Sequence, residues 1–356
     1  MKKLTTIWLF SYLAFSTVLS SQTTPAEALL VLAKQDHTLA IVDPTTLKVI
    51  TRVPVGEDPH EVIASADGKT AYVSNYGFGR YDTLAVVDLA QQKRSPSINL
   101  GPLYGPHGLA FVGGKVWFTA EGAKAIGRYD PDAKKVDWIL GTGQNRTHMI
   151  FVADDRQQII TTNVASGTVS IIDRMTTAPP PPMSSGPTPA GKSSGGPPHF
   201  GSAAPGGDWN ETVVRVGNGS EGFDVSPDGK EIWVANAQDG TISIIDRAHK
   251  TVIETLSANV PSANRLKFTL DGKLVLVSML REPDLAVFNA ATRKEIKRVP
   301  VGHGSAGILM QPDGGRAFVA CSPDNYVAVV DLKSLEVVGH IDAGRGPDGL
   351  AWASWH

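Results

Sequence analysis

Short runs in which apolar residues alternate with polar ones, each broken by turn residues, recur along almost the whole chain. Glu221 to Asp246, EGFDVSPDGKEIWVANAQDGTISIID, holds three such runs, separated by Pro227-Asp228-Gly229 and Gln238-Asp239-Gly240. Alternation of this kind around Asp-Gly is the pattern of successive β-hairpins. The closing run returns as TLAIVD ending at Asp43, TLAVVD at Asp88, AIGRYD at Asp130, TVSIID at Asp173, DLAVFN at Asn289 and YVAVVD at Asp331, which makes seven copies. Five of the six intervals are 42 to 45 residues, and the sixth, Asp173 to Asp246, is 73. A period in the low forties with several short strands per unit predicts an all-β chain, a seven-bladed β-propeller of four-stranded blades.

Each unit supplies an inner strand, a middle strand, a third strand ending in the acidic residue, and an outer strand. Residues 29–356 form the propeller on this reading. The chain starts its repeats on a middle strand (LLVLA from Leu29) and ends on an inner one (DGLAWA from Asp348). The C-terminal strand is therefore expected to complete the first blade and close the ring without an open edge. The long interval is one ordinary repeat plus a Pro/Gly/Ser-rich insertion, residues 174–210, in blade four. Its composition is that of a linker. Because antiparallel strands alternate ends, it should leave from the face opposite the inner-strand starts, with His199 in solvent.

Residues 1–28 read as a signal peptide: Lys2 and Lys3 precede an apolar stretch from Ile7 to Leu19, and Ala26-Glu27-Ala28 fits small-x-small cleavage. The apolar stretch is short for a membrane span. The expectation is a periplasmic or secreted monomer that keeps no membrane span after cleavage. The formal charge of −2 argues against a nucleic-acid partner, which asks for a basic footprint. The single cysteine, Cys321, excludes an intramolecular disulfide, and at the end of a middle strand it reads as a buried, inert thiol.

The repeats VSPDGKEIWVANAQDGTISIID, SADGKTAYVSN and QPDGGRAFVAC, with Gly-rich leads such as VGEDPHEV and GRGPDGLAW, resemble those of the YVTN-repeat, YncE-like β-propellers. The resemblance covers nearly all of the mature chain. It implies the fold. It leaves function open among surface proteins, a nucleic-acid-binding periplasmic protein, copper and haem enzymes, lyases and lactonases.

The inner-strand starts occupy equivalent positions, so their seven residues should ring one mouth of the central channel: His60, His107, His148, Glu221, Asn264, Ala306 and Asp348. Three imidazoles beside a carboxylate, His60, His107, His148 and Glu221, suit a divalent Zn, Cu or Fe ion with one position left open. His107 and His148 are also the candidate catalytic residues of a metal- or His-dependent lyase or hydrolase of the lactonase or virginiamycin-lyase kind, acting without a metal as acid and base. Asn264 and Asp348 complete the ring as ligand-binding candidates. The turns between second and third strands reach the same face with His37, Tyr76, Phe78, Arg80, Tyr81, Glu121, Gln238, Arg281 and Glu282. Tyr76 and Arg80, in the long loop NYGFGRYD, are the candidate ligand contacts there. Strand alternation points Arg265 away from the channel. The preferred function is binding of a small molecule or metal ion at this mouth. Its rivals are the enzyme just described and a scaffold for a protein or cell-surface polymer. The strand-ending Asp residues are expected to be turn formers rather than calcium ligands.

Overall fold

A computed structural model describes residues 26–175 and 208–355. Most of the signal-peptide stretch, most of the insertion and His199 lie outside the described residues. Seven antiparallel sheets of four strands each surround the channel, and the one helix described is a single 3-10 turn, Gly77–Gly79. Blade one is built from both ends of the chain: Pro347–Ser354 is its inner strand and pairs with Glu27–Ala33, in one register from Glu27 opposite Ser354 to Val31 opposite Leu350 and shifted at Ala33 opposite Pro347. Closure is thus as the order of the repeats dictates.

Most apolar positions of the two middle strands of each blade are buried, and neighbouring blades interleave them. Leu30, Leu32, Leu39 and Ile41 of blade one pack on Val62, Val73, Ala85 and Val87 of blade two. Outer strands such as Lys135–Gly141 alternate exposed and half-buried residues, as strands with one wet face do. The acidic strand ends act as turn formers: Asp43, Asp88, Asp130, Asp246 and Asp331 accept backbone N–H bonds from two or three residues onward. Asp173 is the exception. The insertion replaces its turn, and its carboxylate instead accepts from Gln158 and pairs with Lys250.

In blade four the third strand, Thr168–Arg174, and the outer strand, Trp209–Arg215, pair with Arg174 opposite Trp209. At the other end Thr147, Asn163, Thr168 and Arg215 line up beside the inner-strand start. The insertion therefore leaves from the face away from the ring of histidines.

Two backbone devices recur at the mouth. First, the pairing register shifts near the start of every inner strand, for example between Pro59 and Val62, Thr147 and Ile150, and Ala263 and Leu266. Such a bulge lets two consecutive residues face the same side. Hydroxyls fill several of these irregularities and tie blades together. Gly108 N–H donates to Thr119 Oγ1, which donates to His148 O at 2.6 Å, and Ser278 Oγ donates to Ala306 O at 2.6 Å. Second, the residue two before each ring position is left-handed: Asp58, Gly105, Arg146, Gly219, Ser262, Gly304 and Gly346 all have φ between 46° and 72°.

Candidate functional site at the channel mouth

The second residue of each inner strand is the ring residue, so the seven do converge on one mouth. There they border a cavity of about 310 Å³ lined by His60, His107, His148, Glu221, Asn264, Ala306 and Asp348, together with Lys34, Tyr76, Arg146 and Arg265. Larger hollows, up to about 770 Å³, open between blade turns elsewhere. Their charged groups are paired locally, Asp228 with Lys230 and Asp271 with Lys273, and no histidine lines them.

The three histidines form a continuous arc. The rings of His107 and His148 have centroids 3.8 Å apart, and those of His60 and His107 are 5.0 Å apart. Their nitrogens are engaged very differently. His60 accepts from Lys34 Nζ at Nε2, 2.5 Å away, and its Nδ1 lies 3.3 Å from Asp58 Oδ1. His148 is clamped between two carboxylates: Nδ1 bonds to Glu121, and Nε2 stands 2.8 Å from Glu221 Oε2 with an orientation outside that of a hydrogen bond. His107 is 2 % exposed, and its Nδ1 is buried with no partner.

Glu121, from the loop after the Lys115–Ala120 strand, is the hub of this arc. It is 6 % exposed, and it accepts the Tyr76 hydroxyl and Arg146 Nε, the latter at 3.4 Å. His107, Glu121 and His148 each offer a donor atom within 4.8 Å of the others. Tyr76 also turns its ring edge-on to His60 and His107, with centroids 4.8 and 5.1 Å away.

The environment splits the charge states of the arc. Burial, reinforced by the neighbouring positive charges, holds the His107 imidazole well below its usual 6.5. Burial also lowers His60. Burial opposes charge on His148 too, but Glu221 and Glu121 outweigh it and push His148 up to about 9. In return Glu221 is held at about 2 despite its burial, chiefly by His148. Burial and the hydrogen bond to Glu121 raise the Tyr76 phenol.

Arg265 does not point away from the channel. It is 6 % exposed, lines the cavity, donates from Nη1 to Asn264 Oδ1 at 3.2 Å, and pairs through Nη2 with Glu61 of blade two, far across the ring. Alternation fails because of the bulge between Ala263 and Leu266, and the matching bulge in blade two turns Glu61 inward beside His60. In four other blades the position after the ring residue is glycine, at Gly108, Gly222, Gly307 and Gly349, where a Cβ would strike the next blade's backbone.

Of the expected ligand contacts, Tyr76, Asn264 and Asp348 line the cavity, Asp348 with Oδ2 3.5 Å from Lys34 Nζ. Arg80 is exposed on the rim and does not line it. Cys321 is fully buried; burial pushes its thiol up to about 12, and Sγ points to Val301 O at 3.3 Å.

Sequence reasoning placed Glu121 on the rim only and passed over Lys34, Arg146, Asp58 and Glu61. Two columns carry the signal. Lys34, Tyr76 and Glu121 each follow the last residue of a middle strand. Asp58 and Arg146 stand where four of the other five blades have glycine, a position whose left-handed backbone disfavours residues with a side chain.

No protein-family profile matches the chain, and no curated protein matches it. Solved structures do. A functionally unknown protein from Desulfotomaculum acetoxidans aligns with a TM-score of 0.69 at 14 % identity, over 90 % of this chain and 98 % of its own. A Kuenenia stuttgartiensis hydrazine synthase chain aligns at 0.66 and 17 %, over 85 % and 92 %. A Bacteroides uniformis protein whose name proposes 6-phosphogluconolactonase activity aligns at 0.66 and 13 %, over 92 % and 99 %. At these identities the likeness establishes a shared propeller fold and nothing about chemistry.

Proposed function

We propose that this chain is an exported YVTN-repeat propeller that binds a divalent transition-metal ion at the channel mouth, with the cavity in front of it open to a small ligand. The observation that carries the reading is the cluster of His107, Glu121 and His148, whose donor atoms lie within 4.8 Å of one another and in which His107 Nδ1 is buried without a partner. Buried polar atoms are rarely left unmatched, and a donor set of two nitrogens and a carboxylate oxygen fits Zn, Cu or Fe.

The charge balance supports the same reading. Glu221 and Asp348 line the cavity, and Asp58, Glu61 and Glu121 pair with side chains that line it, five carboxylates against three permanent cations, Lys34, Arg146 and Arg265. With His148 raised to about 9 and so protonated, the excess is one negative charge, and a divalent ion that displaces that proton would cancel the two that then remain. His107 and His148 would hold the ion together with Glu121, Glu221 standing close by. When bound, it would act as a Lewis acid toward a ligand oxygen. The chain's own groups do the rest. Tyr76 and Arg146 keep the Glu121 carboxylate oriented, a role that outer partners play at metal sites. The Lys34 and Asp58 contacts hold His60 at the edge of the arc.

Export rests on Lys2, Lys3 and the apolar stretch that follows; among the described residues no helix is long and apolar enough to cross a membrane. The test is elemental mass spectrometry on untagged protein beside His107→Ala and Glu121→Gln. Near-stoichiometric Zn, Cu or Fe in the parent and its loss in both variants is expected. No metal in the parent after reconstitution overturns the reading.

One arrangement favours a second reading, a metal-free lyase or hydrolase. His107, with a free nitrogen, lies against His148, which is clamped by two carboxylates. A base and an acid side by side suit proton transfer. Lactones are a first substrate class to screen, and turnover by metal-free protein that His107→Ala abolishes would decide for it.

A further inference from the structure

The rim above the cavity is aromatic, and glycine packing sets its shape. The loop after the Thr70–Asn75 strand of blade two leans onto blade three, where Gly79 meets Gly105 and Gly122. A Cβ on Gly105 would lie 2.7 Å from Gly79 Cα, and one on Gly122 would lie 2.6 Å from Gly79 O. Backbone bonds seal the contact, from Gly105 N to Tyr81 O at 2.7 Å and from Gly122 N to Tyr104 O at 3.0 Å.

On this platform Phe78 is held left-handed, with φ 52°, and 82 % exposed. A bulky residue rarely takes that conformation, and glycines flank it on both sides, so the loop presents a ring that its backbone disfavours and that the described residues leave uncovered. Tyr104, 46 % exposed, flanks the Gly122 that meets Gly79. The surface is continuous with the site: Phe78 is 6.3 Å from Tyr76 between centroids, and Tyr76 touches His60 and His107. Leu280, half exposed, lines the cavity from blade six.

We infer that the ligand of this mouth is amphiphilic, with a compact oxygen-donor head that enters the cavity and a planar apolar body that rests on Phe78 and Tyr104. The inference deepens the metal reading and rests on it for the head. Two observations favour this occupant. At about 310 Å³ the cavity is at the small end of ligand sites, with room for a head group and little more. A metal-loaded mouth has its charges balanced, so nothing at the rim calls for a charged body, whereas exposed rings do call for an apolar one.

Acetohydroxamate and benzohydroxamate carry the same metal-seeking head and differ in the body, and titrating both into cobalt(II)-loaded protein while following its visible bands separates the two parts. The parent should bind the phenyl compound about tenfold more tightly, the size of one good aromatic contact. In Phe78→Gly, which also relaxes the backbone, the preference should fall to about twofold or less, with cobalt content and acetohydroxamate affinity unchanged. Equal affinities in the parent, or a preference that survives in the variant, overturn the inference. If no cobalt is retained, the metal reading fails on its own. The rim is then decided by ligand-observed NMR with benzoate on the metal-free protein: phenyl saturation seen with the parent and lost in Phe78→Gly sustains it, and none with the parent overturns it.

Discussion

Blades two to five and blades six, seven and one share a backbone at the mouth and use it differently. Both arcs have the same bulged inner strands and the same left-handed lead residue. In the second arc the ring holds Asn264, Ala306 and Asp348, and the leads are Ser262, Gly304 and Gly346, two of them glycines that take this backbone without steric cost. In the first arc the ring holds His60, His107, His148 and Glu221, and two leads are the charged Asp58 and Arg146, each aimed at a histidine or at the carboxylates around it. The repeat thus supplies a scaffold that needs only small residues at the lead position. Where larger polar ones stand in an unfavourable backbone, the site rather than the fold accounts for them.

The contact that joins the arcs gives the largest expected effect. Arg265 reaches from one arc to Glu61 of the other, both side chains being largely buried. Arg265→Ala leaves Glu61 unpaired in the channel and should cost about 3–5 kcal/mol in denaturant unfolding. The double variant Arg265→Met with Glu61→Gln should recover most of that loss. If Arg265→Ala is neutral, the pair does not couple the arcs.

The pH dependence of metal-free protein tests the first arc alone. His107 is depressed when folded, so as pH falls below 6.5 the unfolded chain takes up a proton that the folded one refuses, and stability drops. His148 is raised to about 9, so its contribution is complete below 6.5 and is lost as pH rises from there through about 9. Stability should therefore peak near pH 6.5. His148→Gln should flatten the alkaline limb, and His107→Asn should shallow the acidic limb, which His60 shares. Melting temperatures measured across the range check both, and an alkaline limb unchanged in His148→Gln contradicts the clamp.

The smallest effect concerns the lead position. Asp58→Gly relieves the left-handed strain and removes a largely buried contact to Lys34 and His60. Thermal stability should hold or rise by up to about 1 kcal/mol. A loss larger than that would mean Asp58 is there for the fold, which would erase the contrast between the arcs.

Much of this molecule was legible one residue at a time. Hydrophobic alternation and Asp-Gly turns repeat locally, so the blades, their number, the role of the acidic strand ends, closure through Asp348 to Ala353, and the convergence of His60, His107 and His148 all follow from counting along the chain. Counting fails where one blade answers another. Arg265 faces inward because a bulge, invisible in the alternation of NRLKF, turns two successive residues to the same side, and its partner Glu61 is 204 positions away. Glu121 looks like a loop residue until folding buries it between Tyr76, Arg146 and His148, and the charge states of His107 and His148 depend on which neighbour each meets. Repeat periodicity is a local property and survives in the sequence. Burial and pairing across the channel belong to the closed ring, and only the assembled blades decide them.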